Sequence, residues 1–476
     1  MSPLSSLQRA LPLALLLAVP ALAAEPPAFP RGEIVPSVAV SGSPGQSYAL
    51  YLPSSYTPDR TWPILYVLDA RRGGPRAAEV FRAGAERYGY ILASSNNSES
   101  DIAMETTFQA VRAMWADTHA RFPLDDRRVY AAGYSGTVRI ACTLAFVAPG
   151  TIAGIIGAGA GFPFDHPPTK DTPFSFFGTV GTEDFNYDEM LDLDVFLDGL
   201  GLPHHIEVFE GIHDWPPSEL AARAIAWMDL QALRAGTRTK DPALIEALWS
   251  ADLERAQTFE SRGDLFQAHR TWTAMTADFR GLRDTGEATK KVEELNASPA
   301  LLKDLAAREE RSRRDKQFLK EAQGVLASAV TPSGEPMTVA QTVAALKIPE
   351  LKKKLFSQDP AERLSAQRLL NTLWGQTSGY LPGSFAERKQ WDKAAFVLSI
   401  AAEMRPEEPT VWFSRAVAHA RKGDRKKALA DLRRSVDAGW KDASRIEKHE
   451  AFAPLREEEE YRKIVAGLKT GGPVGS

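Results

Sequence analysis

Cysteine is almost absent from this 476-residue chain: Cys142 is the only one, which excludes an intramolecular disulfide and any zinc centre built from several thiolates. An excess of basic residues is absent too. With 57 Lys and Arg against 61 Asp and Glu the formal charge is -4, so the chain as a whole lacks the electrostatic footprint of a nucleic-acid binder, and no nucleic-acid partner is expected. Long apolar runs are scarce. The run at residues 10–18 falls well short of the roughly 20 residues that a membrane-spanning helix needs, so no stable membrane span is expected. What is present, 44% hydrophobic, 25% charged and 9% aromatic residues, is an ordinary globular mixture, and the length implies two or more domains.

Arg9, the short apolar run and Ala21-Leu22-Ala23-Ala24 ahead of Glu25-Pro26-Pro27 stand in the order of a secretory leader. Residues 1–24 are therefore expected to be a signal peptide, cleaved after Ala23 or Ala24, and the mature protein to be periplasmic or secreted. Beyond it the charge is unevenly divided. Residues 25–236 carry 15 basic and 26 acidic side chains, a net of -11, whereas residues 237–476 carry 41 and 35, a net of +6. The pattern changes at the same place, from short β-branched or aromatic runs alternating with helical stretches to a sequence that is helical almost throughout. These shifts predict one domain over 25–236 and a second over 237–476.

Strands are predicted near residues 48–52, 64–68, 90–94, 128–132, 152–156, 174–179 and 205–209. Several are continuous apolar runs, such as Pro63-Ile64-Leu65-Tyr66-Val67-Leu68, the signature of a strand covered by helices on both faces. Helices are predicted at 105–122 and 216–230, where apolar residues recur on one face. The alternation implies a doubly wound, mostly parallel α/β sheet whose ligand crevice opens at the carboxyl ends of the strands.

The strongest chemical signal is Gly133-Tyr134-Ser135-Gly136-Thr137, placed between the strand at 128–132 and a helical run at 138–147. A sharp strand-to-helix turn projects a serine hydroxyl clear of the backbone and points the next amide at a developing oxyanion, while small flanking residues let strand and helix pack closely. Threonine at 137 departs from the glycine usual there. A serine hydroxyl also needs a base, and a base needs an orienting acid. Asp184 follows the strand at 174–179, and His213 follows the strand at 205–209. The chain order Ser135, Asp184, His213, each beyond its own strand, makes these three the candidate nucleophile, acid and base. Glu183, Asp188 and Asp214 are neighbouring acids that could take the place of Asp184.

On the elbow Gly133-Tyr134-Ser135-Gly136, the turn Gly181-Thr182-Glu183-Asp184 with Asn186-Tyr187, and Gly211-Ile212-His213-Asp214-Trp215-Pro216-Pro217, the chain resembles the α/β-hydrolase superfamily over about residues 45–232. Within it the likeness is to secreted esterases related to polyhydroxybutyrate depolymerases, feruloyl esterases and dienelactone hydrolases. The resemblance implies an exported serine hydrolase with a catalytic Ser135–His213–Asp184 triad, acting on a small-molecule or polymeric ester without a cofactor. A peptidase of the same fold and a noncatalytic scaffold are the competing readings. The second oxyanion donor is expected in Asp69-Ala70-Arg71-Arg72-Gly73-Gly74, which lacks the His-Gly-Gly-Gly run of many lipases. Backbone amides of Gly136 and of Ala70 or Arg71 are the expected donors.

Other polar residues are read as structural. His204 and His205 are adjacent on a strand and face opposite ways, so they do not make a metal site, and none is expected. Cys142 is expected to be a buried, inert thiol, Arg139 to pair with an acid, and Ser94-Ser95-Asn96-Asn97-Ser98 to be a polar loop that either lines the pocket or does not.

In the helical half, Ala394, Leu398 and Ala401 are followed 34 residues later by Ala428, Leu432 and Ser435, and Trp412, Ala416 and Gly423-Asp424 lie between. Ala256, Phe259, Gly263-Asp264, Ala268 and Trp272 share the internal spacing. The pattern resembles a tetratricopeptide array over about residues 243–468, which implies a concave surface for a peptide or protein partner. The alternative is a bundle that only packs on the first domain.

Overall fold

A computed structural model describes residues 29–100, 103–331 and 335–470. The expected signal peptide lies outside the described residues. The chain divides into two compact units, one running to Arg308 and the other from Glu309.

The first unit is built on an eight-stranded sheet: β1 (Ile34–Ala39), β2 (Ser47–Tyr51), β3 (Trp62–Leu68), β4 (Ile91–Ser95), β5 (Leu124–Tyr134), β6 (Gly154–Ala158), β7 (Ser175–Gly181) and β8 (His204–Phe209), in the order β1-β2-β4-β3-β5-β6-β7-β8. Strands β1 and β2 are antiparallel to their neighbours and the other six run parallel. With its flanking helices this mostly parallel sheet fits an α/β-hydrolase fold. Seven of these strands are the ones the sequence predicts, several of them as continuous apolar runs. The eighth, β1, is not predicted, because Pro36 and Ser37 interrupt its pattern, and as an edge strand it needs neither continuous apolarity nor every ladder hydrogen bond.

Both faces of the sheet are covered. Side chains alternate along β3, so Ile64, Tyr66 and Leu68 join one apolar core while Leu65 and Val67 join another. The first core is closed by α2 (Met104–Arg121), α3 (Gly136–Val147) and α4 (Tyr187–Leu200), and the second by α1 (Gly74–Tyr88) and α5 (Ser218–Arg234). Helices α1 and α5 cross closely at Gly84, where a Cβ would stand 2.7 Å from Ala222 Cα.

Three further helices belong to the same unit: α6 (Pro242–Ser261), α7 (Leu265–Asp278) and α8 (Gly286–Asn296). They bury Trp249, Trp272 and Phe279 in a core shared with Leu230 and Leu233 of α5. Helices α6 and α7 also attach to the edge strand β8. Arg270 donates to the Ile206 carbonyl at 2.5 Å. His205 lies 3.2 Å from Asp278 and 3.3 Å from Glu207, and Glu207 pairs with Arg255 at 2.7 Å and Arg223 at 2.6 Å. The change from mixed to helical sequence at 236/237 thus falls between α5 and α6, whereas the compact division falls at 308/309. The stretch from Ala256 to Trp272 lies with the sheet.

The second unit is helical. It comprises the end of α9 (Pro299–Val330), then α10 (Val339–Ala345), α11 (Ile348–Lys354), α12 (Pro360–Gly375), a π-helical turn at Gln376–Tyr380, α13 (Leu381–Glu387), α14 (Trp391–Met404), α15 (Pro409–Lys422), α16 (Arg425–Asp437), α17 (Ala443–Lys448) and α18 (Glu459–Thr470). All six residues of the 34-residue period are buried. Among the described residues no helix is long and apolar enough to cross a membrane.

Candidate active site

Strand β5 ends at Tyr134 and α3 begins at Gly136, which leaves Ser135 alone in the turn at φ 55° and ψ -129°. That conformation costs a non-glycine residue about 1–3 kcal/mol and persists only where its surroundings enforce it. Ser135 N–H donates to the Ala158 carbonyl at 2.8 Å. The glycines beside the turn are sterically required: a Cβ on Gly133 would stand 2.6 Å from Val138 N, and one on Gly136 would stand 2.8 Å from Ser100 Cβ. Thr137 fits where glycine is usual because its hydroxyl is used. The oxygen accepts Tyr134 N–H at 2.9 Å and donates its proton to the Leu68 carbonyl at 2.5 Å, tying the turn to the end of β3.

The structure brings the three expected side chains together. His213 Nε2 lies 2.9 Å from Ser135 Oγ, and His213 Nδ1 lies 2.8 and 2.9 Å from the two Asp184 oxygens. A carboxylate at Nδ1 holds the ring proton there and leaves Nε2 to accept from the hydroxyl. Asp184 is buried and is held by Asn186 N–H, which donates to Oδ1 at 2.8 Å. Of the neighbouring acids, Asp214 pairs with Arg76, Glu183 donates its amide to the Gly211 carbonyl and Asp188 stands in the first turn of α4.

Of the expected oxyanion donors, Gly136 opens α3 beside Ser135. The amide of Arg71 is committed elsewhere: it donates to Asp69 Oδ1 at 2.7 Å, because the buried Asp69 carboxylate folds the loop back on itself. The amide before it in that loop belongs to Ala70.

Gly159 and Phe185 belong to no motif, whereas Tyr134 and Asn186 stand within the quoted ones. Gly159, at φ +66°, passes so close to the pair that a Cβ would stand 2.8 Å from His213 Nδ1 and 2.9 Å from Asp184 Oδ2. Asn186 Nδ2 donates to its carbonyl at 2.7 Å. The rings of Phe185 and Tyr134 lie 4.1 and 5.0 Å from the imidazole, and Tyr134 donates its hydroxyl to the His213 carbonyl at 2.8 Å. Burial pushes that phenol up to about 12, so it remains a donor. Gly159 followed a strand end, which was its one sequence signal.

The remaining residues are structural. Arg139 pairs with Glu189 at 2.6 Å, and Ser98 donates to the Asp69 carbonyl at 2.9 Å. Burial raises the Cys142 thiol well above its usual range, which makes it inert. His204 faces Asp194 and His205 faces Asp278. Among the described residues no group of three or more His, Cys, Asp or Glu is placed to hold a metal. A cavity of about 430 Å³ is lined by residues of β8 and α7 and not by Ser135, and it contains the pairs Arg270–Asp194 at 2.6 Å and Arg255–Glu207 at 2.7 Å.

No protein-family model matches the chain, and neither does any curated protein. Solved structures similar to it include a fluorophosphonate-binding serine hydrolase of Staphylococcus aureus, at 18% identity over 42% of this chain and 99% of that one, TM-score 0.33. An S-formylglutathione hydrolase from the same organism is 20% identical over 42% and 99%, TM-score 0.33, and a feruloyl esterase module from Clostridium thermocellum 12% identical over 40% and 85%, TM-score 0.31. These neighbours are serine hydrolases and esterases matching the N-terminal part, and the C-terminal helical region is not matched.

Proposed function

We propose that the protein is a serine hydrolase that cleaves carboxylic esters through an acyl-enzyme, with Ser135 as nucleophile. The observation that carries this reading is the unbroken line from Ser135 Oγ to His213 Nε2 at 2.9 Å and from His213 Nδ1 to Asp184 at 2.8 Å. As the Ser135 oxygen attacks the ester carbonyl carbon, its proton passes to Nε2, and Asp184 stabilises the imidazolium. The oxyanion is met by the amides of Gly136 and Ala70; one such donor is worth about 10²–10³-fold in turnover. Collapse expels the alcohol, which takes the proton from Nε2, and water then enters by the same route to release the acid. No metal or cofactor has a part in this sequence.

Fluorophosphonate labelling tests the reading. The intact protein is expected to label and to hydrolyse aryl esters, and Ser135→Ala to do neither. Labelling of the alanine variant, or cleavage of peptides with esters untouched, would overturn it. The protein is best taken from the exported fraction, since the leader-like residues 1–24 support export, and its N-terminus is then expected at Ala24 or Glu25. The 34-residue period supports reading the second unit as a tetratricopeptide-like array that offers a surface to a peptide or protein.

A further inference from the structure

Asp69, at the end of β3, has four hydrogen bonds on one residue that is only 4% exposed. Oδ1 accepts the amides of Arg71 at 2.7 Å and Gly73 at 3.0 Å, Oδ2 accepts Trp215 Nε1–H at 2.8 Å, and the carbonyl accepts the Ser98 hydroxyl at 2.9 Å. The two carboxylate edges therefore serve two different loops. One is the turn that carries the Ala70 amide. The other carries His213, two residues before Trp215.

A third segment closes the circuit. Tyr134, immediately before the nucleophile, packs its ring 5.6 Å from that of Trp215 and donates its hydroxyl to the His213 carbonyl at 2.8 Å. At Gly73 a Cβ would press against Asp69 Oδ1 at 3.0 Å, so the loop closes on the carboxylate without room to spare. Sequence positions 69 and 215 are 146 residues apart, and the bond between them is a direct side-chain link from the β3 loop to the histidine loop.

We propose that Asp69 is a positioning residue that sets the Ala70 amide and the His213 imidazole as one rigid unit, so that the oxyanion donor and the base keep a fixed separation around Ser135. This rests on the catalytic reading of Ser135, His213 and Asp184. A carboxylate suits the task because it accepts on both edges. An amide accepts on one edge only, so Asp69→Asn must turn its NH₂ toward either Trp215 Nε1–H or the two loop amides, and one of the loops is released. Displacement of an oxyanion donor by a fraction of an ångström weakens binding of the transition state and leaves binding of the ground state nearly untouched.

The experiment compares wild type, Asp69→Asn, Trp215→Phe and the double variant in aryl ester hydrolysis, with thermal melting of each. Asp69→Asn is expected to lower kcat by about 10–100-fold with KM changed by less than about twofold. Trp215→Phe, which keeps the ring's apolar packing and removes the same hydrogen bond from the other side, is expected to lower kcat as well. The double variant is expected to lose less than the product of the two single losses, since release of either loop already breaks the unit that Asp69 holds together. Unchanged kcat in both single variants overturns the proposal, as does a double variant whose loss is the product of the two. A loss confined to KM, or one that follows only a lowered Tm, assigns Asp69 to loop stability and overturns it too. If Asp69→Asn fails to fold, Trp215→Phe decides. A wild-type protein that neither labels nor hydrolyses esters would instead remove the catalytic reading itself, an outcome distinct from an active wild type with active variants.

Discussion

Gly159 has no functional side chain, yet its place beside His213 and Asp184 is sterically exacting. Gly159→Ala is expected to keep the fold while lowering kcat/KM by about 100-fold or more, because a methyl group there must displace the imidazole or the carboxylate, and misplacement of about 1 Å is enough for such a loss. Ester hydrolysis beside a thermal melt checks it. Thr137 teaches a related lesson. From sequence it departs from a glycine pattern, but its hydroxyl supplies a link to Leu68 that glycine cannot make. Which residue types follow which strand was legible, since Ser135, Asp184 and His213 each stand just past an apolar run. The close approach of Gly159 and the spending of the Arg71 amide on Asp69 were not, because both depend on atoms brought from distant parts of the chain.

Strand β8 carries buried groups whose charge depends on pH. Burial alone would lower His205, but hydrogen bonds and charge from Asp278 and Glu207 outweigh it and lift the imidazole from 6.5 to about 9. Around it, Glu207 is lowered well below its usual range: burial opposes this, but Arg255, His205 and Arg223 outweigh it. Asp252 on α6 is raised by burial to about 6. A group whose pKa is raised on folding stabilises the fold fully below its unfolded value and ceases to do so as the pH rises through its folded value. His205 is thus expected to make Tm fall between pH 6.5 and 9, a window above the range in which Asp252 and Glu207 titrate. Asp278→Ala is expected to flatten that slope and to cost about 1–3 kcal/mol, since it removes one of the two carboxylates beside the imidazole and the acceptor of Trp227 Nε1–H. Melting curves across this range for both proteins are the check. Most strands of the sheet were legible because burial on both faces makes them continuously apolar; β1 escaped because an edge strand is free of that demand.

At the scale of the whole molecule, the first compact unit extends through α6, α7 and α8 to Arg308. A chain ending after Arg308 is expected to fold and retain ester hydrolysis. One ending after Gly236 is expected to aggregate, because it removes the helices that bond to β8 and opens an edge strand and the buried faces of Leu230 and Leu233. Circular dichroism and hydrolysis assays on the two fragments separate these outcomes. By itself the sequence determined the alternation of strand and helix, the change to helical sequence after residue 236 and the strand ends at which serine, acid and histidine would stand. Those are local properties, set by hydrophobic period and turn chemistry within a few residues. Only the tertiary structure decided which acid meets the imidazole, which loop amides are spent on Asp69 and where the first compact unit closes, because each depends on contacts between segments brought together by the fold, such as Asp69 with Trp215 and His205 with Asp278.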